Sequence, residues 1–467
     1  MKLSKLYIVL VVLIAAGCDV LDQSPQTAIS EDIAIRDQKS AEAALNGLYD
    51  QLQSGNYYGD NIQIMSDVTS DISQSVGTWD FYREMDTYVT SAGNLENRNL
   101  WFQLYQTVNH ANNLIADVPS LSDASDAVKN EILGQAYFIR ALAYFDLTRT
   151  FGGVPGVAGT LGVPLVLEPS RQIDENSFPS RATIADSYAQ VDADLTQAAS
   201  LLSGFSTPGR VSEPAVIALQ ARLALYLEDF TTAEDLATDV IDNYSFELVE
   251  NFADIFTNEN TSEAIFELQY NTTDGNGIRG WYFPSSRGGR GDIALHTDYA
   301  NMVLARGADE RGELIGFDSN VGVYYPTKYS KSGGDDNIQI IRLAEMYLNR
   351  AEARARKTPM DLVGALDDLN EIRNRAGLAD TTGTGVDTQQ EVLNAIELER
   401  GIEFMMEGHR WYDLVRTGRA ITVLTNVERE NSNPVSLADP DRMVFPIPSR
   451  DIDANPNLEQ NDAWKAN

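Results

Sequence analysis

Cysteine is nearly absent from this chain of 467 residues. Cys18 is the single one, so no intrachain disulfide can form. A chain of this length buries enough surface to hold a core without such staples. Histidine is almost as scarce. His110, His296 and His409 lie far apart, and no Cys/His group has the spacing of a zinc site. Cations are outnumbered, with 35 Lys and Arg against 69 Asp and Glu, for a formal net charge of -34. Nucleic acid and anionic lipid are poor partners for such a surface. No G-x-S-x-G, H-E-x-x-H or P-loop string occurs, which removes the common signatures of serine hydrolases, zinc peptidases and nucleotide hydrolases. Long apolar runs are missing after the first residues, so no membrane-spanning helix is expected in the body. The acids are scattered rather than gathered in a tail, and 43% of residues are hydrophobic, which argues for a folded body.

The one apolar run is at the start. Lys2 and Lys5 precede Leu6 to Ala16, which carry no polar group apart from the Tyr7 hydroxyl, and Ala15, Ala16 and Gly17 lead into Cys18. The run is about half of the roughly 20 residues that span a bilayer. This is the layout of a secretory signal, read as a lipoprotein signal peptide over 1–17 with acyl chains attached at Cys18. Lipidation also accounts for a lone cysteine in an exported chain. Residues 18–38 read as the tether, and 39–467 as a single helical domain in which N- and C-terminal segments interleave.

Helical periodicity dominates that body. Trp101, Leu104, Tyr105, Val108 and Asn112 recur at three- and four-residue spacing, as do Ile132, Ala136, Ile139 and Ala143. Aromatic residues around the second of these stripes predict a helix buried among others. The clearest pair spans about 213–243, with Ser212 as first cap and Thr231 and Glu234 as a capping box for the second helix. Its string "ARLALYLEDFTTAEDLATDVI" has the small and large positions of a tetratricopeptide unit. A second pair is expected over about 338–376, joined at Thr358-Pro359. A long helix is expected from the capping box Thr388–Glu391 to about Gly418. Phe266, Leu268 and Tyr270 alternate with polar residues and predict a half-buried strand. Gly- and Pro-rich stretches at 151–181 and 271–293 read as insertions between helical hairpins.

The acids on these helices have ready partners at helical spacing. Examples are Glu345 with Arg342 and Asn349, Glu352 with Arg356, and Glu399 and Glu403 near Arg400 and Arg410. Polar packing between helices is the expected role, not catalysis. With 69 acids, a chance pair of carboxylates carries no information about glycoside chemistry.

Several strings carry a family resemblance. They are "WFQLYQTVNHANNLI" (101–115), "GQAYFIRALAYFDLTRTFGGVP" (134–155), "IQIIRLAEMYLNRAEARAR" (338–356), "ALDDLNEIRNRAGL" (365–378), "IELERGIEFMMEGHRWYDLVRTG" (396–418) and "VFPIPSRDIDANPNLEQNDAW" (444–464). In order and spacing the chain resembles the SusD/RagB family of nutrient-binding outer-membrane lipoproteins. The chain departs at Gly401, where a second Arg is usual, at Asp451 for Glu, and at Trp464 near the usual closing Tyr. The resemblance implies an all-α fold of tetratricopeptide-like helix pairs in a right-handed superhelical scaffold, with long loop insertions and a few short strands. It implies display on the outer membrane through the lipid anchor, over a SusC-like TonB-dependent transporter as partner. It implies a non-enzymatic role, most often capture of an oligosaccharide. It implies no cofactor and leaves room only for a structural calcium ion.

A glycan site needs aromatic faces beside amides, acids or Arg, on exposed loops. Two stretches qualify, "GTWDFYR" (77–83) and "RGWYFPSSRGGR" (279–290). The residues expected to bind are Trp79, Tyr82, Trp281, Tyr282, Arg287 and Arg290, with Tyr324 and Tyr325 as weaker candidates. The alternative for each aromatic is that it pins its loop to the core. Arg279, Arg287 and Arg290 together raise the expectation of an anionic glycan, against the alternative that they pair with nearby acids. Two other roles stand beside glycan capture, a surface glycoside hydrolase and a peptide-capturing uptake subunit.

Overall fold

The computed structural model describes residues 34–172, 177–425, 427–429 and 440–465. The signal peptide, Cys18 and all but the last five residues of the expected tether lie outside the described residues.

The described chain holds seventeen α-helices and six short strands. The first half runs α1 (Gln38–Gln53), α2 (Asn61–Thr69), β1 (Ser73–Ser75), α3 (Asp80–Asp86), α4 (Leu95–Asp117), α5 (Asp126–Leu147), α6 (Ile184–Leu201), α7 (Glu213–Tyr226) and α8 (Phe230–Asn243). There follow α9 (Asp254–Thr257), β2 (Ala264–Leu268), α10 (Ile278–Tyr282), β3 (Ile293–Leu295), α11 (Thr297–Leu304), β4 (Ile315–Asp318), β5 (Val323–Pro326) and β6 (Ile338–Arg342). The last part is α12 (Leu343–Arg356), α13 (Leu362–Arg375), α14 (Gln389–Glu403), α15 (Arg410–Arg416), α16 (Ala420–Leu424) and α17 (Ser449–Ala454).

The long helices stack in order. α1 packs on α4, α4 on α5, α5 on α6, α6 on α7, α7 on α8, α8 on α12 and α12 on α13. This is the tetratricopeptide-like, mostly helical architecture the sequence implies. α5 is enclosed along its C-terminal half, with Phe138, Ile139, Leu142 and Phe145 fully buried. Phe145 meets Tyr226 of α7 at 4.8 Å between ring centroids, and Phe138 meets Phe266 of β2 at 5.6 Å. No helix among the described residues is long and apolar enough to cross a membrane.

Buried arginines clasp neighbouring helices. Arg140 of α5 grips Asp194 of α6 at 2.6 and 2.8 Å and donates to Asn112 of α4 at 2.7 Å. Arg222 of α7 reaches Glu345 of α12 at 2.6 Å, Arg350 of α12 reaches Asp368 of α13 at 2.7 Å, and Arg416 of α15 reaches Glu352 of α12 at 2.6 Å. The largest node is Glu403 at the end of α14. It meets Arg342 of β6 at 2.5 Å, Arg311 at 3.2 Å, and Arg375 of α13. The helical acids are therefore packing groups, mostly between elements rather than along one helix.

Several local expectations are corrected. α8 is capped by Asp229, whose carboxylate accepts from Thr232 N, not by Thr231. Ser212 occupies the cap position of α7 without a side-chain bond. Asp361 caps α13, one turn past Thr358-Pro359. Residues 338–342 are strand β6 rather than helix, paired antiparallel with β2, as the β-branched run Ile338, Ile340, Ile341 favours. β2 itself is buried on both faces, Glu267 included, because Asn337 and Gln339 satisfy that carboxylate. The helix expected from 388 to 418 breaks after Glu403. Met406 and Gly408 take left-handed φ of 61° and 79°, and Gly408 N donates to Asp67. The capping box Thr388–Glu391 is present. Gly401 lies against the Tyr299 hydroxyl and the Arg410 guanidinium, where an added Cβ already sits 3.0 Å from Tyr299.

Two expectations follow for stability. Glu403→Ala leaves three buried guanidiniums short of their partner and is expected to cost about 3–5 kcal/mol in urea unfolding. The carboxyls of Glu345 and Glu352, buried but beside Arg222 and Arg416, are held at about 2 against an ordinary 4.5. Their stabilisation is complete above the unfolded value and is lost as pH falls through about 2. Acid titration by circular dichroism should therefore show unfolding moved to higher pH in Arg416→Met.

Candidate ligand platform

The two loops singled out in the sequence meet because β1 and β3 pair. The register is antiparallel, with Ser73 opposite Leu295 and Ser75 opposite Ile293. The chain leaving β1 therefore runs beside the chain entering β3. Val76 N and Gly77 N donate to the Asp292 carbonyl at 2.8 and 3.1 Å, and Thr78 N to the Asp292 carboxylate at 3.3 Å. A Cβ at Gly77 would fall 1.7 Å from Asp292 Oδ1, so only glycine permits this contact.

Trp79 immediately precedes α3, and Trp281 lies in α10. Their rings stand 5.8 Å apart at 61°, and both are half-buried. Phe81, also half-buried, sets its edge 5.6 Å from Trp79. Each indole is held by a carboxylate: Trp281 Nε1 donates to Asp60 at 3.1 Å and Trp79 Nε1 to Glu96 at 3.0 Å. Burial pushes the Asp60 carboxyl up to about 7, opposed by the Trp281 bond and assisted by the charge of Glu96. Burial raises Glu96 as well. Neither acid had a signal in the sequence, since single acids far from the aromatic strings look like any other surface charge.

Arg290 lies across the pair, its guanidinium 5.1 Å from the Trp79 ring and 4.9 Å from the Trp281 ring. Its Nε donates to Asp292 at 2.5 Å, and about half of the side chain is exposed. Arg279 stacks on Phe283 at 4.3 Å and donates to the carbonyls of Ser330 and Arg287. Arg287 is exposed and makes no ion pair among the described residues. Two of the three arginines are thus engaged locally. Asp292 offsets the Arg290 charge at the rings, so the ring pair itself carries no net positive charge to draw an anion.

Tyr82 and Tyr282 correct the sequence reading. Tyr82 is fully buried, sets its ring against Trp281 at 5.2 Å and donates to Asn61 at 3.1 Å. Tyr282 is 1% exposed and bonds Asp67 at 3.3 Å. Each neighbours a half-buried aromatic in sequence but points inward, so neither offers a face to a ligand. Tyr325 is buried too, and Tyr324 is half-buried. Trp101 and Trp411 lie in the core. Among the described residues, no group of three His, Cys, Asp or Glu side chains is arranged for a metal ion.

What the geometry defines is a pair of supported aromatic faces on a helical scaffold. Two family models match the chain, one described as SusD family over residues 312–464 and one as starch-binding associating with outer membrane over 19–225. SusD-like protein P38 of Formosa agariphila is 25% identical, covering 98% of this chain and 99% of its own. Starch-binding protein SusD of Bacteroides thetaiotaomicron is 38% identical over 133 residues, which is 28% of this chain and 22% of that protein. The crystal structure of a SusD superfamily protein from Bacteroides thetaiotaomicron matches with a TM-score of 0.79 at 29% identity, covering 91% of this chain and 99% of that one. The chain belongs to the SusD/RagB family.

The Trp281 indole should report on the titration of the Asp60 carboxyl it donates to. Indole fluorescence is expected to change through a transition near pH 7 that is absent in Asp60→Asn. Because the folded value is raised, the Asp60 contribution favours the fold at low pH and is lost as pH rises through about 7. Asp60→Asn should accordingly flatten the decline in stability across that window.

Proposed function

We infer that the protein is a surface-displayed, non-enzymatic binding lipoprotein that captures a neutral oligosaccharide on Trp79 and Trp281 and passes it to a SusC-like TonB-dependent transporter in the outer membrane. The observation that carries this reading is the supported, half-buried indole pair with a partly exposed guanidinium across it. Aromatic faces take the apolar side of a pyranose ring, and the terminal Arg290 NH groups make no hydrogen bond among the described residues and can donate to its hydroxyls. The absence of net positive charge at the platform favours neutral over uronate or sulfated chains. Arg290 serves as a hydrogen-bond donor in this reading, and Arg287 stands on the same loop.

The family membership and the starch-binding relative support carbohydrate as the ligand class. Asp60 and Glu96, the carboxylates nearest the rings, are each engaged by an indole N–H, which supports retention of cargo over hydrolysis. The N-terminal string and the family support anchoring through Cys18 at the outer membrane, and palmitate labelling lost in Cys18→Ser checks it.

Affinity electrophoresis and calorimetry against neutral and anionic polysaccharides and peptides test the reading. Wild type should be retained by at least one neutral glycan without releasing reducing ends. Trp281→Ala should weaken binding at least about tenfold, the equivalent of ~1.4 kcal/mol. New reducing ends would support the hydrolase, and retention by peptides alone the peptide-capturing subunit.

A further inference from the structure

Beyond the tryptophan pair, the loop that carries Arg287 faces the tip of the β4–β5 hairpin across a separate cleft. The cavity measures about 230 Å³ and is lined by Ser286, Arg287, Phe317, Asp318, Ser319 and Asn320. That is below the roughly 300–1,000 Å³ of drug-sized sites, which suits one sugar ring rather than a whole oligosaccharide.

The two sides of the cleft are tied to each other and to the structure behind them. Ser286 donates to the Asp318 carboxylate, which also accepts from Asn320 N at 2.8 Å. Gly322 N closes the hairpin on the Asp318 carbonyl at 2.8 Å. Behind the loop that carries Ser286 and Arg287, Arg279 donates to the Arg287 carbonyl at 2.8 Å and to the Ser330 carbonyl at 3.2 Å, which fixes the loop. Such fixing lowers the ordering cost of binding. Phe317 is 50% exposed, with its ring centroid 4.9 Å from that of Tyr324. A half-exposed aromatic beside a guanidinium, a hydroxyl and an amide is the chemistry that takes a pyranose. Arg287 and Asp318 offset each other in charge, so the cleft matches a neutral ligand.

It lies close to the platform along the chain. Phe283 links the two, packing its ring 5.2 Å from Tyr325, while the Arg287 guanidinium lies 5.9 Å from that same ring. Arg287 and Arg290 are three residues apart, so at most roughly 11 Å of backbone separates them.

We propose that the cleft between Arg287 and Phe317 is a second sugar subsite, which takes a further unit of the same neutral glycan chain whose other end rests on Trp79 and Trp281. This proposal rests on the platform reading and adds a preference for chain length. Both side chains are exposed, so their replacement should leave the fold intact, as circular dichroism would show.

The test is calorimetry with maltose- and laminaribiose-series oligosaccharides of two to seven glucose units, on wild type, Trp281→Ala, Phe317→Ala and the double variant Arg287→Ala/Asn320→Ala. In wild type, affinity should climb with length and then level off. Phe317→Ala and the double variant should each lose about tenfold on the longest oligosaccharide bound and nothing on the shortest. Trp281→Ala should lose binding at every length. Loss in Trp281→Ala with no change in the cleft variants overturns the subsite and leaves the platform standing. An equal loss at all lengths in the cleft variants overturns it as well, because the cleft would then not be an extension. Failure of wild type to bind any member, together with failure on the neutral polysaccharides, overturns the platform reading and the subsite with it.

Discussion

The fold turns on the ionic node around Glu403. One buried carboxylate meets guanidiniums from β6, α13 and the turn before β4, and Arg342 continues to Glu263 and Glu407. Buried charges this dense persist only when nearly every partner is in place. The node therefore fixes where β6 ends and α12 begins, and it locks the break between α14 and α15. Through β6 it also positions β2, whose Phe266 reaches into the helical core. The same chemistry is repeated in smaller form by Arg140, Arg222, Arg350 and Arg416 along the stack. Hydrophobic burial supplies the bulk of the stability, while these pairs set which helix lies against which.

The helical stack was legible from the sequence because its long helices carry strong periodic stripes and because several strings are family-specific. What was missed is short-range or long-range in character. Asp229 and Asp361 cap their helices by geometry that Thr231 and Thr358 imitate on paper. Ile338–Arg342 runs straight into a helix without a turn signal, and only its partner strand, some seventy residues earlier in the chain, makes it a strand. The break after Glu403 depends on Gly408 reaching Asp67, a contact no local pattern announces.

The candidate site was half legible for similar reasons. Trp79, Trp281, Arg287 and Arg290 stood out as aromatic and cationic residues in loops of an acidic chain. Their meeting depends on β1 and β3, three residues each, too short to see beforehand. Tyr82 and Tyr282 sit next to platform residues in sequence, yet one step along a helix turns a side chain by about 100°, which carries both into the core. Asp60 and Glu96 became visible only once the indoles were seen to point at them.

The position of Arg290 has a bearing on the empty protein. Half-exposed indoles side by side are an apolar patch, and at high protein concentration such a patch invites unwanted association between neighbours. A guanidinium lying over both rings, itself leashed by Asp292, keeps a charged, hydrated group at that spot and lowers its stickiness. The same group that the proposed reading offers to a ligand would thus also act as a stopper between copies of the chain.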